Sequence, residues 1–213
     1  MTQRKYYESD DLSMRTQVLS CSPMEDGNFR VVLAATLFHP QGGGQPSDQG
    51  SINRARVVRV FQDVDSVVHV TDSEVMPGDA HIEVLADSRS LNARLHSAGH
   101  LIANSMEPLG WHATKGHHWP GEARVVFEAT SSAQPVAAEA VEAAVNQLVV
   151  SNAPRHTRVE DGVRLVGFGS QPSSACGGTH VASTDQVGQI SILKLKEKKG
   201  QLSIQYDVSH RAI

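Results

Sequence analysis

Up to about residue 86 the apolar positions fall in short runs, either alternating with polar residues or rich in β-branched ones. The runs cover residues 18–21, 29–35, 57–61, 67–70 and 80–85, and Gly, Pro, Asp and Ser punctuate the gaps. Such spacing reads as strands joined by turns and predicts a small antiparallel β-barrel over residues 1–87. Between the second and third runs stands Phe38-His-Pro-Gln-Gly-Gly-Gly-Gln-Pro46. Its successive glycines allow positive φ and the close approach of a backbone or a ligand, although an ordinary turn uses the same residues.

At Asp87-Ser88 the period changes. These capping residues precede a stretch over 89–106 in which Leu91, Leu95, Ala98 and Ile102 recur at helical spacing. We place a domain boundary there, with a second domain over residues 88–213. The same period sets His96 and His100 one turn apart on one face, beside the apolar stripe. Gly99 between them costs about 1 kcal/mol relative to Ala in a helix, which points to a close approach by a packed element or by substrate. Pro108 ends the helix. Residues 111–128 read as a hairpin about Pro120-Gly121. Residues 135–150 read as a second helix, with Val136, Val141, Val145 and Leu148 on one side. Strands follow over 164–168, 189–196 and 202–208, so the fold class is α+β.

Composition narrows the function classes. With 39% hydrophobic and 20% charged residues in 213, the chain is an ordinary globular protein. No run approaches the 18 or so apolar residues of a membrane span, and the first ten residues lack the apolar core of a signal peptide, so a cytoplasmic location is expected. A net charge of −4, from 19 basic and 23 acidic residues, disfavours a dedicated non-specific nucleic-acid binder. Local basic stretches remain: Lys194, Lys196, Lys198 and Lys199 with Arg211 behind them, and Arg54, Arg56 and Arg59. On a strand Lys194 and Lys196 share a face, which suits phosphate contact, while Lys198-Lys199-Gly200 also reads as a solvated hairpin turn.

The chemistry concentrates in two segments. His96-Ser-Ala-Gly-His100 offers two imidazoles at i and i+4, and Cys176-Gly-Gly-Thr-His180 offers a thiolate and a third imidazole. Three nitrogens and one sulphur suit Zn²⁺ and are unsuited to Mg²⁺ or Ca²⁺, which take oxygen. Four ligands bound at once make a closed structural site; a displaced ligand leaves room for water or substrate. Ser97, beside the histidine pair, and the backbone amides of Gly177 and Gly178 are candidates for lining such an opening. His117 and His118, in the hairpin, are either contacts for a substrate or plain surface groups.

These two segments, with Thr184 and Val187-Gly188 after them and the glycine-rich stretch 38–46 before them, resemble the editing domain of alanyl-tRNA synthetase and the free-standing AlaX trans-editing proteins of medium length. The resemblance covers nearly the whole chain. It implies a zinc site of His96, His100, Cys176 and His180. It also implies an aminoacyl-tRNA deacylase acting on tRNA(Ala) mischarged with serine, glycine being a second candidate, with no membrane partner. Substrate contacts are then expected at Ser97, Thr114, Lys115, Gly116, Gly177, Gly178, Thr179, Gly43 and Gln45, and tRNA contacts at Lys194, Lys196, Lys198 and Lys199. Ser97 is the hydroxyl expected to select serine over alanine. Thr114 departs from the Gln that many relatives carry before the Lys-Gly pair. Two other readings stay open: a tRNA-binding module with a structural zinc, and a zinc hydrolase of another ester.

Overall fold

The protein, seen in a computed structural model, is described over residues 1–209 and divides into two compact units. The first comprises Met1–Gly42 and Pro46–Ser90. Its strands are β1 (Gln3–Arg4), β2 (Ser13–Pro23), β3 (Phe29–Leu33), β4 (Ala35–Thr36), β5 (Gly50–Ile52), β6 (Ala55–Asp63), β7 (Ser66–Thr71) and β8 (Gly78–Val84). β1 and β4 pair in parallel. The other six pair antiparallel in the order β2-β3-β7-β6-β5-β8, and β8 returns to β2, so none of the six is left with an open edge.

Strict alternation explains β8, where Ala80, Ile82 and Val84 are buried and His81 and Glu83 are exposed. Elsewhere bulges interrupt the alternation. A register shift between Val57 and Arg59 lets Val57 and Val60, three residues apart, both reach the core shared with Leu33, Phe38 and Ile52. β2 is far longer than its apolar run, because only Val18 is fully buried and the remaining residues are held by pairing with both β3 and β8. β5 shows no apolar run at all in the sequence.

A buried ion pair fastens this unit. Asp48, fully buried, accepts from Arg89 Nε at 3.1 Å and from the His39 backbone N–H at 2.6 Å, and Arg89 Nη2 also donates to the Leu37 carbonyl at 2.6 Å. Each charge therefore has a further hydrogen bond beside its counter-ion.

The second unit comprises Gly43–Gln45 and the chain from Leu91 onward. The helix α1 (Ala86–Met106) starts three residues earlier than its apolar period. It is followed by β9 (Trp111–His117), β10 (Arg124–Ala129), α2 (Ala138–Val150), β11 (Arg155–Glu160), β12 (Val163–Phe168), β13 (Ser174–Ala175), β14 (Ile190–Lys198) and β15 (Gln201–Val208). One sheet has the order β14-β15-β10-β9 and a second the order β11-β12-β13. Leu95, Ala98, Leu101, Ile102 and Met106 of α1 share a core with Phe127, Ile204 and Tyr206 of the larger sheet and with Val141 and Val145 of α2. β11, with the polar sequence Arg-His-Thr-Arg-Val-Glu, is a strand only through its six-residue pairing with β12. The observed class is α+β. No helix among the described residues is long and apolar enough to cross a membrane.

Removing one member of a buried, hydrogen-bonded pair strands the other. Asp48→Ala is therefore expected to destabilise the first unit by about 3–5 kcal/mol, whereas Glu8→Ala, which breaks the exposed Lys5–Glu8 pair, costs under about 1 kcal/mol. Denaturant unfolding of the two variants against the wild type measures both.

Candidate active site

α1 supplies His96 and His100, one turn apart with ring centroids separated by 5.2 Å. The loop after β13 supplies Cys176 and His180. One ligand-type atom from each of the four lies within 4.8 Å of all the others, and Cys176 Sγ is 3.4 Å from His96 Nε2 and 3.2 Å from His180 Nε2. The set of three imidazoles and one thiol, converging at this spacing, fits a metal ion that takes nitrogen and sulphur.

The other ring nitrogens explain why these rings face inward. Gln45 Oε1 accepts from His96 Nδ1 at 2.7 Å and from the Thr179 backbone N–H at 3.0 Å, while Gln45 Nε2 donates to Thr179 Oγ1 at 2.8 Å. An amide oxygen cannot donate, so His96 carries its proton on Nδ1 and leaves Nε2 bare toward Cys176. Ser97 Oγ lies 3.1 Å from His180 Nδ1 and accepts from the Val181 N–H at 3.2 Å. Gln45 and Ser97 are both fully buried. The placement of Ser97 corrects one expectation: its hydroxyl faces His180 and Val181, not an opening.

Two arginines that carry no signal in the sequence hold the loop. Arg164 Nη1 donates to the carbonyls of Cys176 (2.9 Å) and Gly178 (3.0 Å), and Arg155 Nη1 donates to the carbonyl of His180. The Gly178 N–H points at Cys176 Sγ, 3.3 Å away. Burial lowers the pKa of His100 to about 4, with the Arg164 charge adding to the shift, and holds His180 well below the ordinary imidazole value. Burial raises the Cys176 thiol, opposed by the Gly178 amide and by Arg164. At neutral pH His100 and His180 therefore offer lone pairs without competition from protons, and the thiol is the group that must ionise when a cation arrives.

Beside the cluster opens a cavity of about 290 Å³. Of the expected substrate contacts, Gly43, Thr114, Lys115, Gly116 and Gly177 line it, and Ser97, Gln45, Gly178 and Thr179 are not among its lining residues. His118 also lines the cavity. It is only 4% exposed, so the surface reading of this residue fails: its ring stacks on His96 at 4.4 Å, and its Nδ1 is 2.6 Å from Tyr206 Oη. Burial is the main cause of its pKa falling to about 3. His117 is half-buried and stacks on Trp119 at 5.8 Å. A buried polar residue in a hairpin gives no periodic signal, which is why the sequence does not separate His118 from His117.

The lysines lie elsewhere in the same unit. Lys196, Lys198 and Lys199 line an open groove of about 760 Å³ together with Val126, Glu128 and Ser203. Lys194 is exposed on the same strand, and Arg211 falls outside the described residues.

Comparison with known proteins agrees with this geometry. Residues 163–203, which contain Cys176 and His180, match the family model of the threonyl and alanyl tRNA synthetase second additional domain. The chain is 31% identical to the alanyl-tRNA editing protein Aarsd1 of Rattus norvegicus, with 93% of this chain and 56% of that protein covered. It is 33% identical to the alanine–tRNA ligase of Methanocorpusculum labreanum, with 78% of this chain and 21% of the ligase covered. The chain thus spans about half the length of the editing proteins it matches and about a fifth of the ligase. The chain that carries the His96/His100/Cys176/His180 cluster is thus similar over most of its length to alanyl-tRNA editing proteins and to a part of alanine–tRNA ligases.

Proposed function

We propose that this protein is a zinc-containing deacylase that hydrolyses the ester of mischarged tRNA(Ala), Ser-tRNA(Ala) first and Gly-tRNA(Ala) second. The observation that carries the reading is a four-donor cluster bordering a cavity large enough for an aminoacyl group. His96, His100, Cys176 and His180 would hold the ion. Zinc bound there supplies Lewis acidity, which makes an ester carbonyl more electrophilic. Gln45 fixes the tautomer of His96, leaving its Nε2 lone pair toward Cys176, and Ser97 holds the orientation of the His180 ring through Nδ1. Gly43, Thr114, Lys115, Gly116 and Gly177 form the wall that receives the aminoacyl end.

Discrimination against alanine comes from a hydrogen bond that only the serine hydroxyl can make, about 0.5–1.5 kcal/mol or up to roughly tenfold where water can otherwise reach the wall group. With Ser97 committed to His180, we assign this contact to the exposed Thr114 hydroxyl on the cavity wall. It donates to the Val126 carbonyl at 3.3 Å and retains lone pairs for a serine hydroxyl. The tRNA backbone is assigned to Lys194, Lys196, Lys198 and Lys199. With Lys115 they account for every lysine of the chain except Lys5, and none of them is ion-paired among the described residues.

Zinc-loaded protein is expected to strip serine from Ser-tRNA(Ala) while leaving Ala-tRNA(Ala) charged, and Cys176→Ala is expected to lose this activity. Serine that stays attached with zinc bound favours a binding module. Because burial raises the Cys176 thiol and keeps His100 and His180 neutral before binding, zinc uptake near pH 7 should release about one proton, from the thiol. Apparent affinity then rises about tenfold per pH unit below the thiol pKa. Calorimetry in buffers of different ionisation enthalpy reads this directly, and Cys176→Ala should release none. Replacing Lys196, Lys198 and Lys199 by Ala should raise KM for tRNA with kcat unchanged. The slope of log K against log salt should become shallower by about 1 for each phosphate no longer neutralised.

A further inference from the structure

His118 is built into its position from several sides. Tyr206 Oη donates its one proton to the Leu95 carbonyl at 2.9 Å, so the 2.6 Å contact with His118 Nδ1 requires that nitrogen to carry the proton. The lone pair of the neutral ring is then on Nε2. The ring lies in a slot that only glycine leaves open: a Cβ on Gly99 would come within 2.4 Å of His118 Cε1, and one on Gly116 within 2.5 Å of Nε2. The His118 backbone N–H donates to the Gly44 carbonyl at 2.8 Å. Filling space would need none of the Tyr206 chain, since an apolar ring packs equally well. The chain fixes which nitrogen is the acceptor. Among the described residues Tyr206 Oη, at Nδ1, is the one hydrogen-bond partner of the His118 ring, and His118 borders the cavity whose other wall residues include no carboxylate.

We propose that His118 is a substrate-binding residue, whose Nε2 accepts a hydrogen bond from the α-ammonium group of the esterified amino acid. This rests on the deacylase reading above. An ammonium entering a cavity gives up water at three N–H donors and needs acceptors in return. His96 Nε2 and His180 Nε2 are turned to Cys176, so His118 adds an acceptor outside the metal cluster.

The test is a double-mutant cycle on binding. Two stable amide-linked adenosine analogues, one carrying serine and one carrying 3-hydroxypropanoate in its place, are titrated into zinc-loaded wild type and His118→Phe, whose ring keeps the slot filled. The seryl analogue should bind the variant about 10- to 100-fold more weakly, the range for a hydrogen bond to a charged group, and the desamino analogue should bind both proteins alike. Equal loss with both analogues, or no loss, overturns the proposal. Nitrogen-15 NMR of the wild type gives a second readout that needs no variant. His118 should show a protonated Nδ1 and a bare Nε2, with the Nε2 resonance shifting on addition of the seryl analogue; a protonated Nε2 also overturns the proposal. If wild type hydrolyses Ser-tRNA(Ala) but the cycle shows no coupling, only the role of His118 falls. If wild type neither binds the seryl analogue nor hydrolyses Ser-tRNA(Ala), the deacylase reading falls and the His118 assignment with it.

Discussion

An imidazole taken out of water must have both ring nitrogens answered for, and this protein takes four of them into or beside one cluster. His96, His118 and His180 are each at most 4% exposed. Each gives one nitrogen to a neutral polar group: Gln45 for His96, Tyr206 for His118 and Ser97 for His180. Without those partners, burial would leave a donor or acceptor unmet at about 1–3 kcal/mol apiece, and the rings would be free to turn. Much of the surrounding sequence follows from this constraint. Ser97 sits between the two helical histidines, Tyr206 projects from the central strand β15, and Gln45 arrives from a segment remote in sequence.

The same constraint shows how far a sequence can be read. His96 and His100 on one helical face, and Cys176 with His180 on a glycine-rich loop, are legible because ligand geometry demands regular spacing, and spacing is visible in a linear string. Their supports are not. Ser97 is adjacent to His96 in sequence yet serves His180, 83 residues away, and nothing local distinguishes that from a hydroxyl facing a ligand. Arg155 and Arg164 lie on β11 and β12, and their targets are backbone carbonyls, which every residue possesses. Among the strands, those that bury alternate residues announce themselves. β11 is polar apart from the exposed Val159 and exists by pairing, while register shifts in β2 and β6 shorten the apolar runs that periodicity can detect.

Electrostatics inside the second unit pulls in two directions at once. Arg164 lies close enough to Cys176 and His100 to favour their deprotonated forms, opposing the burial that raises the thiol, and it donates to carbonyl oxygens of the loop. A fixed positive charge that favours deprotonated ligands also repels the cation those ligands would bind. The thiol resolves the conflict. Once ionised, Cys176 contributes one full negative charge that the three neutral imidazoles cannot, and the Gly178 N–H stabilises it at the sulphur. A fourth imidazole in place of the thiol would leave the cluster neutral beside an arginine. In that setting Cys176 supplies the charge that makes cation binding favourable, and the histidines supply direction.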